Sequence, residues 1–136
     1  MAVVTHGETR SFELIDAVLS MDHDTWETIL YVGSEEFRQT EGGPYPNHQL
    51  RISVNPRRGY AAINFQDHDD PALPNANSFN PEPTPADLFL VFSGNTGAVF
   101  PSSAAIEVEQ ARAALRQFVV TRKRPTNIQW RPYGSR

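Results

Sequence analysis

Two tripeptides hold the side chains best suited to chemistry: Asp22-His23-Asp24, and Asp67-His68-Asp69 with Asp70 directly behind it. An imidazole flanked by carboxylates is a ligand set for Zn, Mn or Fe, and water bound to such an ion becomes a hydrolytic nucleophile. The enzymatic reading is therefore a small metal-dependent hydrolase using both runs. Local geometry argues against it. Adjacent residues on an extended strand point to opposite faces, so an Asp-His-Asp run seldom offers three ligands to one ion. Both runs also fall where a solvated loop or helix end is expected. The chain has no cysteine, no Gly-x-Ser-x-Gly elbow and no His-Glu-x-x-His. No catalytic residue, metal ligand or cofactor is assigned, and a small-molecule ligand is not expected. Ser93-Gly94-Asn95-Thr96-Gly97 leads into a strand, so its two glycines read as a hairpin turn rather than a phosphate cradle.

The net charge of −4 conceals a segregation along the chain. Residues 59–111 contain no Lys or Arg but carry Asp67, Asp69, Asp70, Glu82, Asp87, Glu107 and Glu109. Residues 112–136 contain no Asp or Glu but carry Arg112, Arg116, Arg122, Lys123, Arg124, Arg131 and Arg136. Folding is one way to bring the two blocks together and cancel them. The basic cluster at 122–124, with Trp130 and Tyr133 following, has the residue types that contact phosphates and stack on bases. The chain is acidic overall and lacks a nucleic-acid-binding motif, so direct nucleic-acid binding is not expected.

The elements that must position these groups follow from length and periodicity. A chain of 136 residues suits one domain with one core, 1–136. No run approaches the roughly 18 apolar residues of a membrane span. The N-terminus shows no basic region followed by an apolar one, and the absence of cysteine suits a reducing compartment. A cytoplasmic location without membrane contact is the expectation.

Leu14, Ile15, Val18 and Leu19 share a helical face, with Ser11 as the expected N-cap. Thr28 to Val32 reads as a strand, and Glu41 to Asn47 as a loop. Leu50, Ile52 and Val54 line one face of a strand; Ala61, Ile63 and Phe65 line one face of the next. Asn55-Pro56-Arg57-Arg58-Gly59 supplies the turn between them. Leu88 to Phe92 is apolar on both faces, which predicts a central strand. Val108, Ala111, Leu115 and Phe118 predict a helix over 107–120, its acidic start and basic end complementing the helix dipole. Pro125 bars its continuation, and Thr126 to Trp130 reads as a last strand; another is possible at Val3 to Thr5. The class is α+β, an antiparallel sheet of about five to six strands in hairpins, covered by two helices.

Ala111, Ala114-Leu115, Phe118, Thr121, Arg124-Pro125-Thr126 and Trp130 resemble the signature of the Imm1 family of bacterial immunity proteins, most specifically from Leu88 to Trp130. Gly94, Gly97 and Pro101 in the preceding hairpin are similar to that family as well. In its pattern a glycine follows the helix-end threonine; here the residue is Arg122, which must take a left-handed conformation unless the turn itself differs. The resemblance implies a non-catalytic inhibitor that binds and neutralises a cognate polymorphic toxin, with nucleic-acid-modifying toxins such as deaminases among those associated. Leu115, Phe118, Pro125 and Trp130 are expected to serve the fold.

The stretch from 66 to 87, with Pro71, Pro74, Pro81, Pro83 and Pro85, is expected to be a long irregular loop. The prolines lower the cost of ordering it on a partner. A toxin acting on nucleic acid needs a basic groove, and this loop's carboxylates suit such a groove. The expected partner-binding residues are Asp67, Asp69, Asp70 and Glu82, with Asn77 or Phe79 as a central contact. The bland alternative leaves the loop idle and assigns binding to Trp26, Tyr45 or the basic C-terminus.

Overall fold

Hydrophobic alternation in two neighbouring segments builds the centre of the molecule. In the computed structural model, which describes residues 2–4, 8–31, 37–40, 43–46 and 48–134, β5 (His48–Asn55) and β6 (Tyr60–Asp67) form an antiparallel hairpin. Its turn is closed by the amides of Arg58 and Gly59, which donate to the Asn55 side-chain and backbone oxygens at 3.2 and 2.9 Å. Gly59 takes the left-handed φ of 75° that the turn requires.

Around this hairpin the main sheet runs in the order β1 (Ala2–Val4), β2 (Thr28–Tyr31), β5, β6, β7 (Asn75–Phe79) and β11 (Gln129–Pro132). All pairings in that path are antiparallel except β1 with β2, which is parallel. β10 (Ile106–Glu107) takes over as partner of β6 beyond β7. Ser78 stitches that exchange: its hydroxyl accepts from the Ile63 amide at 3.0 Å and donates to the Ala104 carbonyl at 2.6 Å. Two small ribbons complete the strands, β3 (Phe37–Thr40) with β4 (Gly43–Pro46), and β8 (Val91–Ser93) with β9 (Ala98–Val99).

Helices α1 (Glu8–Leu19) and α2 (Val108–Thr121) pack on one face of the sheet. Ile15, Val18, Leu30, Leu50, Ile52, Ile63, Phe65, Leu115 and Phe118 form the core there, with Phe65 edge-on to Phe118 at 5.4 Å between ring centroids. The opposite face is covered around Ala62 by Leu90, Phe100, Ala104 and Ala105. The α+β class and the two-helix cover are as the sequence implies.

Five local expectations change. The first helix begins at Glu8, so Ser11 is a buried residue of its interior and not its cap. Gly43–Pro46, expected within a loop, pairs as β4, where an edge position spares its prolines the need for an N–H. Leu88 to Phe92 is no central strand: only Val91–Ser93 is extended and paired, in a ribbon lying outside the sheet, and Phe89 is 70% exposed. The stretch 66–87 is not one irregular loop, because β7 lies in its middle. The last strand starts three residues later, at Gln129. Thr5 and Val32, included in the strand expectations, lie outside the described residues.

Candidate functional site

β6 and α2 run side by side from a common origin, since Val108 donates to the Gly59 carbonyl at 3.0 Å where both begin. A strand of eight residues and a helix of fourteen both cover roughly 21–26 Å, so their far ends meet. At that meeting point lies an open cleft of about 700 Å³. One wall is His48, Asp67, Asp69 and Asp70; the other is Thr121, Arg122, Lys123 and Arg124. The acidic and basic blocks of the sequence thus face each other across one depression.

The acidic wall is a folded turn. Asp67 Oδ1 accepts from the Asp69 amide at 2.8 Å, and Asp70 Oδ1 accepts from the amides of Ala72 and Leu73 at 3.0 and 3.2 Å. Asp70 also accepts from Arg124 at 2.9 Å, and this hydrogen bond, followed by those turn amides, holds its carboxyl below the usual range. Arg124 reaches on to the Leu73 carbonyl at 3.3 Å. Part of the charge segregation is therefore cancelled within the fold.

The basic wall is the end of α2. Thr121 accepts from the Lys123 amide at 3.2 Å, and Arg122 donates its own amide to the Phe118 carbonyl at 2.7 Å. Arg122 has φ 61° and is the non-glycine residue with positive φ among the described residues. Of the two alternatives left by the sequence, the chain adopts the left-handed arginine. Beyond it, Trp130 Nε1 donates to the Pro125 carbonyl at 2.7 Å, while Gln117 holds the Thr126 amide and hydroxyl. Pro125, Thr126 and Trp130 fasten the turn and so belong to the framework.

The match of this chain to the immunity protein Imm1 family extends over residues 6–132. The chain belongs to the Imm1 family. No curated protein matches it. Membership in Imm1 makes it an immunity protein.

The expected contact residues of this Imm1 protein separate into three environments. Asp67, Asp69 and Asp70 share the cleft. Phe79 closes the opposite end of β7, roughly 15 Å away along the strand, and Glu82 lies just past it; Phe79 carries Arg131 over its ring at 4.4 Å. Asn77 is 4% exposed, and its carboxamide oxygen accepts from Asn64 Nδ2 at 2.9 Å, so it is an internal tie and not a surface contact.

The two Asp-His-Asp runs sit at opposite ends of β5, because His23 donates its amide to Val54 whereas Asp67 pairs with His48. About 20 Å of strand separates them. His23 is 5% exposed, with Nδ1 against the Met21 carbonyl at 2.9 Å and Nε2 against the Thr28 hydroxyl at 2.7 Å. Burial pushes its pKa below the ordinary value, so it is a neutral structural histidine. Among the described residues, those able to gather around a cation are instead His48, Asp67 and Asp69, each with a ligand atom within 4.8 Å of the others. His48 and Thr121 were not foreseen as parts of the site, and the basic cluster at 122–124 entered only through the alternative readings. For His48 a signal existed: with Asn55 opposite Tyr60, antiparallel register places 48 opposite 67.

Proposed function

We propose that this protein is the non-catalytic inhibitor of one cognate bacterial polymorphic toxin, that the toxin modifies nucleic acid as a deaminase does, and that inhibition works by covering its active site. Membership in the Imm1 family is the observation that carries the reading. The acidic wall supports the choice of toxin. An enzyme acting on nucleic acid needs a basic substrate groove, and carboxylates of opposite sign speed encounter and fix register.

In this reading Asp67 and Asp69 meet basic groups of the toxin, while Asp70 keeps the wall in shape through Arg124. Phe79 at the far end of β7 and Glu82 just past it extend the surface, and Asn77 supports it from beneath. A single cytoplasmic domain, without cofactor, nucleic acid or membrane contact, suffices for this task. Among the described residues no helix is long and apolar enough to cross a membrane.

The test is co-expression with the product of the adjacent toxin gene. A stable complex should co-purify, and the toxin's modification of nucleic acid should stop at one equivalent of this protein. Full toxin activity in the presence of excess inhibitor would refute the proposal.

A further inference from the structure

At the other end of β5 from the cleft, the segment before β2 presents the largest exposed apolar side chain among the described residues. Trp26 is 53% open to solvent, yet it is held in place. Its indole rests on the bare Cα of Gly94, where a Cβ would lie 2.3 Å from Cε3 and 2.7 Å from Cδ2. Gly94 is itself anchored, since its amide donates to Glu27 Oε2 at 2.9 Å and Arg51 reaches the same carboxylate at 3.4 Å. An aromatic side chain fixed before binding loses little freedom when a partner settles on it.

The indole borders an open depression of about 510 Å³ lined by residues 21–28. Among the described residues no Lys or Arg lines it, and its charges are carboxylates. Glu27 is taken up by Gly94 and Arg51, and Asp22 has Arg57 at 3.9 Å. Asp24 is exposed and has neither a hydrogen bond nor an ion pair among the described residues. An electron-rich ring beside an unspent carboxylate is complementary to a cation, and best to a flat guanidinium. A phosphate backbone is repelled there, and a purely apolar group leaves the carboxylate without a partner.

We propose that Trp26 and Asp24 together seat an arginine of the toxin, its guanidinium stacked on the indole and hydrogen-bonded to the Asp24 carboxylate. The proposal rests on the reading that a basic protein toxin is the partner, and deepens it by adding an aromatic anchor to the acidic wall. The two lie about 20 Å apart along β5, a distance that a standard interface of roughly 800 Å² per partner spans.

Binding of wild type, Trp26→Ala, Trp26→Phe and Asp24→Asn to the purified, catalytically inactivated product of the adjacent toxin gene is measured by interferometry at several salt concentrations, with Tm recorded for each. Trp26→Ala should weaken affinity about tenfold, and Trp26→Phe by less, because a phenyl ring holds a cation more weakly than an indole but better than a methyl group. Asp24→Asn leaves the packing on Gly94 untouched, so its Tm should equal that of wild type while affinity falls about fivefold and its salt dependence flattens. Wild-type affinity in Trp26→Ala and Asp24→Asn would overturn the proposal while leaving the immunity reading intact. Loss confined to Trp26→Ala, with a lowered Tm, would also overturn it, since a packing role alone predicts that result. A dimer of the free protein in sedimentation, dispersed by Trp26→Ala, would assign the face to a second copy and overturn it likewise. Failure of wild type to bind the toxin would instead remove the immunity reading, and the proposal with it.

Discussion

Arg124 donates to the Asp70 carboxylate at 2.9 Å, joining the end of α2 to the turn after β6 across 54 residues of sequence. One carboxylate of the acidic turn thus has its partner within the chain. Substitution of Asp70 and of Asp69 should therefore have different consequences. Asp70→Asn is expected to lower Tm modestly and leave the salt dependence of toxin association nearly unchanged. Asp69→Asn, at an exposed position, should leave Tm alone while slowing association and flattening its salt dependence. Equal kinetic effects from the two variants would contradict this division of labour.

Gly94 is held by a neighbour from a distant segment. A Cβ at this position would lie 2.3 Å from Trp26 Cε3 and 2.6 Å from the Thr25 carbonyl, and the latter is backbone that cannot swing aside. Gly94→Ala is expected to destabilise the fold by about 1–3 kcal/mol through overpacking. Trp26 is 53% exposed, so its fluorescence should report the displacement directly. Urea unfolding followed at that tryptophan measures both effects, and an unchanged midpoint would refute the close approach.

The sequence was most legible where one residue's role depends on its neighbours along the chain. Alternation in Leu50–Val54 and Ala61–Phe65 specifies the central hairpin, and the stripe through Ala111, Leu115 and Phe118 specifies α2. β7 was hidden because Asn75, Asn77 and Ser78 are poor strand formers by composition. Their polar groups find partners outside β7: Asn64 Nδ2 reaches both Asn75 and Asn77, and Ser78 bridges to Ile63 and Ala104. Leu88–Phe92 misled for the opposite reason. Its inward residues Leu88, Leu90 and Phe92 pack over Ala62, but its outward residue Phe89 remains in solvent, so apolarity on both faces did not mean burial on both. The cleft needed register and helix length together, which no local pattern contains.

Acid should unfold the protein in two distinguishable stages. Burial lowers the pKa of His23, so the fold favours its neutral form; this contribution is complete above the unfolded value of about 6.5 and is lost as pH falls through the folded one. Glu27 pays a desolvation cost that raises its pKa, but the Gly94 amide at 2.9 Å and the charge of Arg51 outweigh it, and the net shift is downward. Its contribution is complete above about 4.5 and disappears below that as the carboxylate protonates. In a pH series of urea midpoints, His23→Asn should flatten the upper stage and Glu27→Gln the lower. A profile flat between pH 7 and 5 in the wild type would dispose of the first assignment.

A bound cation provides the sharpest contrast between inhibition and hydrolysis. The cluster of His48, Asp67 and Asp69 offers three ligand atoms within 4.8 Å, yet it shares its cleft with Arg122, Lys123 and Arg124. The basic wall, even with Arg124 offset by Asp70, opposes a divalent ion by Coulomb repulsion, and His23 cannot add a ligand from the other end of β5. Zinc should therefore bind weakly and without consequence for toxin neutralisation. Calorimetric titration with Zn²⁺, followed by inhibition assays with and without EDTA, measures both quantities. Stoichiometric metal in the purified protein, with inhibition abolished on its removal and in His48→Ala, would establish the cluster as a functional metal centre and displace the purely electrostatic account of the cleft.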